Sequence, residues 1–271
     1  MQSTQRYKEN RYRKLEAFKF NQISIALNAL LPAIYGFIFA SIQTSYHLSG
    51  ILFLLLWISC YLISYPFYES IANKKITNPK KLLIYGSIII ILWILLSIIY
   101  IKINIFLIPI IIAIGFQSLF QKFHIESYFI AEFINIIFFS IMGYCSYLAT
   151  SQDFIDIHSF NYIFLTSASF LIGALLFRKS KTIFNTCRRY MHASVIYHSL
   201  ILLISLIIDV NIGICFIIPW ARAIILSNKN KKKLKHIRPL ETIIYIAFFS
   251  ALLATTFISN TNLLSYSIIN V

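Results

Sequence analysis

Residues Leu82–Ile101 read LLIYGSIIIILWILLSIIYI, a run of 20 positions without a charged side chain. An α-helix of this length rises about 30 Å, which matches the thickness of the hydrocarbon core of a bilayer. The run is apolar throughout from Ile88 to Leu96, whereas a strand of a transmembrane barrel alternates apolar and polar residues. Leu82–Ile101 therefore indicates a membrane-spanning helix.

Comparable apolar runs occur along most of the chain, with short polar loops between them. The chain has 271 residues, of which 59% are hydrophobic and 12% are charged, and its mean hydropathy is +0.76. An average soluble domain carries about 25% charged residues, so the composition excludes a soluble fold. The sequence predicts an all-α, polytopic transmembrane helical bundle of about nine spans, at residues 21–42, 50–68, 82–101, 103–120, 127–149, 161–177, 190–208, 212–226 and 240–258.

A single transmembrane domain, residues 21–258, contains all of these spans. A basic cytoplasmic segment, residues 1–20, precedes this domain, and residues 259–271 are expected to form a short external tail. The first apolar run has full span length and no small-residue cleavage site, so we expect it to be retained as a helix rather than removed as a signal peptide.

The basic residues divide unevenly between the two faces of the predicted bundle. With the N-terminus in the cytoplasm and the C-terminus outside, 22 of the 24 Lys and Arg residues fall in cytoplasmic segments. Lys102 falls outside, and Arg222 lies within a span. Cytoplasmic loops of membrane proteins are enriched in Lys and Arg, so the asymmetry favours this orientation. The net charge of +15 then predicts anionic lipid headgroups, and not nucleic acid, as partners of the basic loops.

Several ionisable and amide side chains lie inside the predicted spans or at their inner ends. Such groups are costly in hydrocarbon and usually face the bundle interior or a water-filled cavity. All of the ionisable ones fall in the cytoplasmic half. They predict a polar cavity that opens to the cytoplasm and binds a small or lipid-like ligand, an isoprenoid-like one included. The candidate ligand-binding residues are Asn28, Glu69, Glu132, Asn135, Arg188, His192, His198, Arg222 and Glu241.

Glu132 is the acidic residue that lies well inside a span, and its expected partners are Arg222, His192 and Arg188. It is either a functional group or one half of a structural ion pair. His192 and His198 are six residues apart and point to different sides of a helix, which disfavours a metal or haem pair. The chain lacks the common hydrolase, zinc-protease and P-loop motifs. We therefore expect no metal site and no cofactor, and the catalytic residues, if any, stay unassigned.

Four stretches resemble the YwiC-like family of bacterial membrane proteins. They are NALLPAIYGFIFA (Asn28–Ala40), YPFYESIANKK (Tyr65–Lys75), CRRYMHASVIYHSL (Cys187–Leu200), and PWARAIIL with the later IRPLETI (Pro219–Ile243). The first places Pro and Gly as in the early span of that family, and the last is similar to its arginine-bearing span and late glutamate. The resemblance implies a multi-pass protein of the bacterial cytoplasmic membrane whose activity is poorly defined.

Three other functions fit the same pattern. A secondary transporter would use Glu132 as a proton or cation site. A transferase that resembles the UbiA-type prenyltransferases, which have nine helices and a cytoplasmic N-terminus, would act here without the acidic motifs that hold Mg²⁺ in that family. An accessory subunit of a larger membrane complex would carry polar residues on an outward-facing helix surface.

Overall fold

The computed structural model describes residues 26–44, 47–73, 76, 78–123, 129–152, 157–182, 188–227 and 237–269, and all regular structure in these ranges is helical. We number nine helices in chain order and treat α6 as one helix with a π-helical segment in it. The bounds are Ala26–Gln43 (α1), Leu48–Asn73 (α2), Pro79–Ile99 (α3), Leu107–Lys122 (α4), Phe129–Ser151 (α5), Ile157–Phe160 with Asn161–Leu165 and Thr166–Thr182 (α6), Arg188–Ile208 (α7), Val210–Ser227 (α8) and Ile237–Ile269 (α9).

The predicted all-helical membrane architecture is confirmed. Six helical stretches are long and apolar enough to cross a bilayer, and three shorter apolar helices lie among them. Each of the nine predicted spans overlaps one helix in the described ranges, while the number of crossings and their orientation stay predictions. Several helices are longer than expected, and α2 ends at Asn73 instead of residue 68. α6 continues to Thr182, beyond its predicted end at residue 177, and α9 continues to Ile269, through most of the predicted tail.

Local sequence explains several helix ends. Pro79 opens α3, where its missing N–H is tolerated, and follows Asn78, which adopts the left-handed region (φ 54°) that asparagine accepts. A 3-10 helix, Ile101–Phe106, connects α3 to α4. Asp209 separates α7 from α8, and its Oδ1 accepts the backbone N–H of Asn211 at 2.8 Å, which caps the start of α8.

Aromatic side chains of α1, α6 and α9 pack together in the buried core. Tyr35 and Phe39 of α1, Phe170 of α6 and Phe248 of α9 are each at most 2% exposed. The rings of Phe170 and Phe248 stack with their centroids 3.9 Å apart. In α3 and α7, by contrast, only 6% and 11% of the span residues are buried. In a bilayer their isoleucine and leucine side chains would contact lipid tails, which are as apolar as leucine.

α1 and α5 cross at two glycines. A Cβ atom at Gly36 would lie 1.9 Å from the carbonyl oxygen of Gly143, and one at Gly143 would lie 2.8 Å from the carbonyl oxygen of Pro32. Small residues at helix crossings let backbones approach closely in membranes. Further along α1, the ring of Phe39 contacts that of Tyr147. Later residues of α1 meet later residues of α5, so the two helices are parallel.

Trp57 joins α2 to both of these helices. Its indole N–H donates a hydrogen bond of 2.8 Å to the carbonyl oxygen of Ala29 in α1. Its ring packs edge-on against Phe139 of α5, with the centroids 6.3 Å apart. A buried indole N–H needs such a partner, and this one sets the position of α2 beside the α1–α5 crossing.

α7 and α8 form an antiparallel hairpin around Asp209. The indole N–H of Trp220 donates to Ser199 Oγ at 3.0 Å, which brings the two helices into register. Arg222 lies 13 residues after Asp209, about 20 Å along the helix. If the Asp209 turn is at the outer face, as the charge distribution predicts, Arg222 lies in the cytoplasmic half of the bilayer.

Candidate functional site

Charged side chains from several helices meet near one end of the bundle. The first turns of α5 and α9 lie beside the end of α6, and the first turns of α9 also lie near the last turns of α8. α7 adds a histidine from its middle. We call the set of residues Glu132 (α5), Arg178 and Lys179 (α6), His198 (α7), Arg222 (α8) and Glu241 (α9) the polar cluster.

Glu132 binds two consecutive basic residues of α6. Its Oε1 lies 2.5 Å from Nζ of Lys179, and its Oε2 accepts a hydrogen bond from Nη2 of Arg178. The three side chains are between 14% and 22% exposed. The prediction that Glu132 pairs with Arg222 or His192 is therefore wrong. α6 continues one turn past its expected end, and this turn carries the two basic residues to the carboxylate.

Arg222 is buried, at 4% exposure, without a full set of hydrogen-bond partners. Its Nη2 lies 3.4 Å from Nε2 of His198, and its Cζ lies 4.3 Å from the ring centroid of Phe177. A cation over an aromatic face is attracted by the ring. Its Nε and Nη1, however, have no hydrogen-bond partner among the described residues. Two of its three nitrogens are thus buried and unsatisfied.

His198 is held as a neutral imidazole. Its Nδ1 lies 2.7 Å from the carbonyl oxygen of Ser194, an acceptor, so Nδ1 carries the hydrogen. Its Nε2 faces the guanidinium of Arg222, which only donates, so Nε2 carries the lone pair. Gly173 of α6 provides the space, since a Cβ there would lie 2.8 Å from Nε2.

Glu241 and Tyr245, one turn apart on α9, link the two parts of the cluster. Both interact electrostatically with Arg178 and with Arg222. Glu241 is only 8% exposed. It does not accept a hydrogen bond from Nε or Nη1 of Arg222, because both atoms lack a partner in the described part of the chain.

Of the remaining predicted site residues, the structure describes the side chains of His192, Asn28 and Asn135. His192 is exposed and does not join the cluster. Asn28 of α1 is buried, Asn135 of α5 is half-buried, and the Oδ1 atom of each has no hydrogen-bond partner among the described residues. The side chains of Glu69 and Arg188 lie outside what the structure describes. Of the predicted set, the structure brings together Glu132, His198, Arg222 and Glu241.

Sequence reasoning missed four contributors. Arg178 and Lys179 were assigned to a loop because the apolar run ends before them. Gly173 and Phe177 are four residues apart on α6 and therefore share a helix face. This spacing was the available sign that the two residues contact the same neighbouring helices. The spacing does not show which neighbouring helices pack against that face.

The charges of the cluster do not cancel. Arg178, Lys179 and Arg222 contribute three positive charges, Glu132 and Glu241 contribute two negative charges, and His198 is neutral, which leaves one positive charge in excess. Arg222 in particular is buried with two nitrogens unbonded among the described residues, and a buried charge without such partners is expensive. The arrangement therefore favours binding of an anionic group. In the described ranges, no group of three or more His, Cys, Asp or Glu residues is placed to hold a metal ion.

Comparison with known proteins agrees with the family resemblance. The family model described as YwiC-like protein matches residues 27–147, which confirms that prediction. A protein of Haemophilus influenzae described as "Uncharacterized protein" is 28% identical over 239 residues, which cover 87% of this chain and 97% of that protein. No solved structure is significantly similar.

Proposed function

Because residues 27–147 of the chain are YwiC-like, we propose that this multi-pass membrane protein resides in the bacterial cytoplasmic membrane and binds a small or lipid-like ligand at the polar cluster. The observation that supports this most directly is the buried Arg222, whose Nε and Nη1 have no partner among the described residues. Buried polar groups nearly always have hydrogen-bond partners, and a missing partner at a charged group is especially costly. A bound ligand would supply the acceptors.

The environment of Glu132 favours ligand binding over a secondary transporter that carries a proton or cation on this residue. Each of its carboxylate oxygens already binds a cation, one from Arg178 and one from Lys179. Neither oxygen is therefore free of a positive partner, which leaves no oxygen to bind a transported cation. We assign Glu132 the role of holding α5 against α6 beside the ligand site.

Native mass spectrometry of the full chain, released from a mild detergent, tests the proposed function. We expect the wild-type protein to retain one bound small molecule or lipid per chain. Arg222→Gln should lose this adduct, because the unsatisfied donors are removed. Lys102→Gln removes the same charge from the exposed 3-10 helix and should retain it. If the wild-type protein carries no stoichiometric adduct, the proposed ligand site is wrong.

The predicted orientation of the chain in the membrane can be tested separately. If all nine helices cross the bilayer and the N-terminus is cytoplasmic, reporter fusions after Val271 and within residues 150–160 should report an external location. Fusions within residues 229–235 should report a cytoplasmic one. Alkaline phosphatase and green fluorescent protein, which are active on opposite sides of the bacterial membrane, provide the two readouts. A cytoplasmic C-terminus would mean that one apolar helix, most simply α4 or α8, does not cross.

A further inference from the structure

We infer that the ligand of the polar cluster carries an oxyanion, a phosphate or carboxylate group, that binds Arg222. This inference rests on the proposed function and adds the chemical class of the ligand. The basis is the set of N–H donors of Arg222 that have no described acceptor. A guanidinium has five N–H groups, of which one belongs to Nε and two to Nη1. These three have no acceptor among the described residues, and Arg222 is only 4% exposed.

No described neighbour of Arg222 supplies the missing acceptors. The Nε2 lone pair of His198 faces Nη2, and Phe177 offers a ring face. Glu241 is near enough to interact electrostatically but does not bond with Nε or Nη1. His198 and Phe177 thus contact the guanidinium, while no described residue accepts a hydrogen bond from its Nε or Nη1.

The positive charge of Arg222 favours one chemical class of acceptor over the others. A neutral hydroxyl or carbonyl would satisfy the donors but would bring no negative charge to the buried guanidinium of Arg222. An oxyanion satisfies both requirements, and charge-assisted hydrogen bonds are roughly twice as strong as neutral ones. Phosphate and carboxylate groups also match the planar donor arrangement of arginine better than a halide ion does.

An oxyanion could come from a lipid headgroup or from a soluble molecule, and a binding assay separates these sources. The full chain in dodecyl maltoside is heated at constant ionic strength in two arms. The first compares inorganic phosphate with chloride. The second compares short-chain phosphatidylglycerol with phosphatidylcholine. We expect the anionic member of at least one pair to raise Tm by about 5 °C at saturation, since a ligand that binds only the folded state stabilises it.

Three variants identify the site. Arg222→Gln should lower the apparent affinity for the effective anion at least about tenfold, and Lys102→Gln should not change it. Glu241→Gln should raise the affinity about tenfold, because it removes the carboxylate that competes with the anion for Arg222. The last variant keeps the arginine, so it remains informative if Arg222→Gln does not fold.

The outcomes are distinct. An unchanged or lower affinity in Glu241→Gln would overturn the inference, because Glu241 would then be a structural counter-ion of Arg222 and not a competitor. An equal anion response in Arg222→Gln, or no response in either arm, would overturn it as well. If mass spectrometry finds a stoichiometric ligand that is neutral, the proposed function stands while the oxyanion inference fails.

Discussion

Gly36→Ala should lower the free energy of unfolding by about 3 kcal/mol, a loss of roughly 6–12 °C in Tm for a chain of this size. The added methyl group would lie 1.9 Å from the carbonyl oxygen of Gly143, 2.9 Å from its carbonyl carbon and 3.3 Å from the backbone nitrogen of Tyr147. These are backbone atoms, which cannot move aside by changing a rotamer. α1 must therefore separate from α5, and Trp57, which contacts both, would lose part of its packing.

A matched control exists in the same protein. Gly115 lies in α4, and apart from its own stretch of helix no described atom lies within 4 Å of the position that a Cβ would take there. Gly115→Ala should therefore be neutral or raise stability by up to about 1 kcal/mol, because alanine favours a helix more than glycine does. The comparison uses thermal unfolding in detergent and the fraction of monodisperse protein in gel filtration. Equal Tm values for the two variants would show that the α1–α5 crossing is not as close as described.

Glu132→Gln should destabilise the protein by about 3 kcal/mol, again roughly 6–12 °C in Tm. Arg178 and Lys179 would keep their charges while losing the carboxylate, and at 14% to 16% exposure they have limited access to water. Removing one member of a buried ion pair costs more than the pair itself contributes, since the remaining charge is left uncompensated.

A triple variant separates this account from a direct role of Glu132 in ligand binding. When Arg178→Gln and Lys179→Gln are added to Glu132→Gln, no unpaired charge remains at this contact, and we expect at least half of the lost stability to return. Thermal unfolding without added ligand measures both changes. If Glu132→Gln unfolds at the wild-type temperature but loses the mass-spectrometric adduct, Glu132 binds the ligand and the structural assignment is wrong.

The sequence was sufficient to predict the membrane class and the order of the helices. The length of an apolar run and the absence of charges within it are local properties, and the bilayer thickness converts them into spans. For the same reason the depth of Glu132, Arg222 and Glu241 along their helices could be estimated. Helix ends were less predictable. Hydrophobicity stops at Phe177, whereas the backbone hydrogen bonds of α6 continue to Thr182.

The sequence did not show which helices contact each other, and only the tertiary structure decided this. His192 and His198 lie on one helix with similar sequence surroundings, yet His198 is buried and His192 is exposed. The difference arises because Gly173 of α6 leaves room for the ring of His198. Depth in a membrane follows from position along the chain. The rotation of each helix and the identity of its neighbours follow from close packing of side chains that are distant in sequence, and this packing alone brings Arg178 and Lys179 to Glu132.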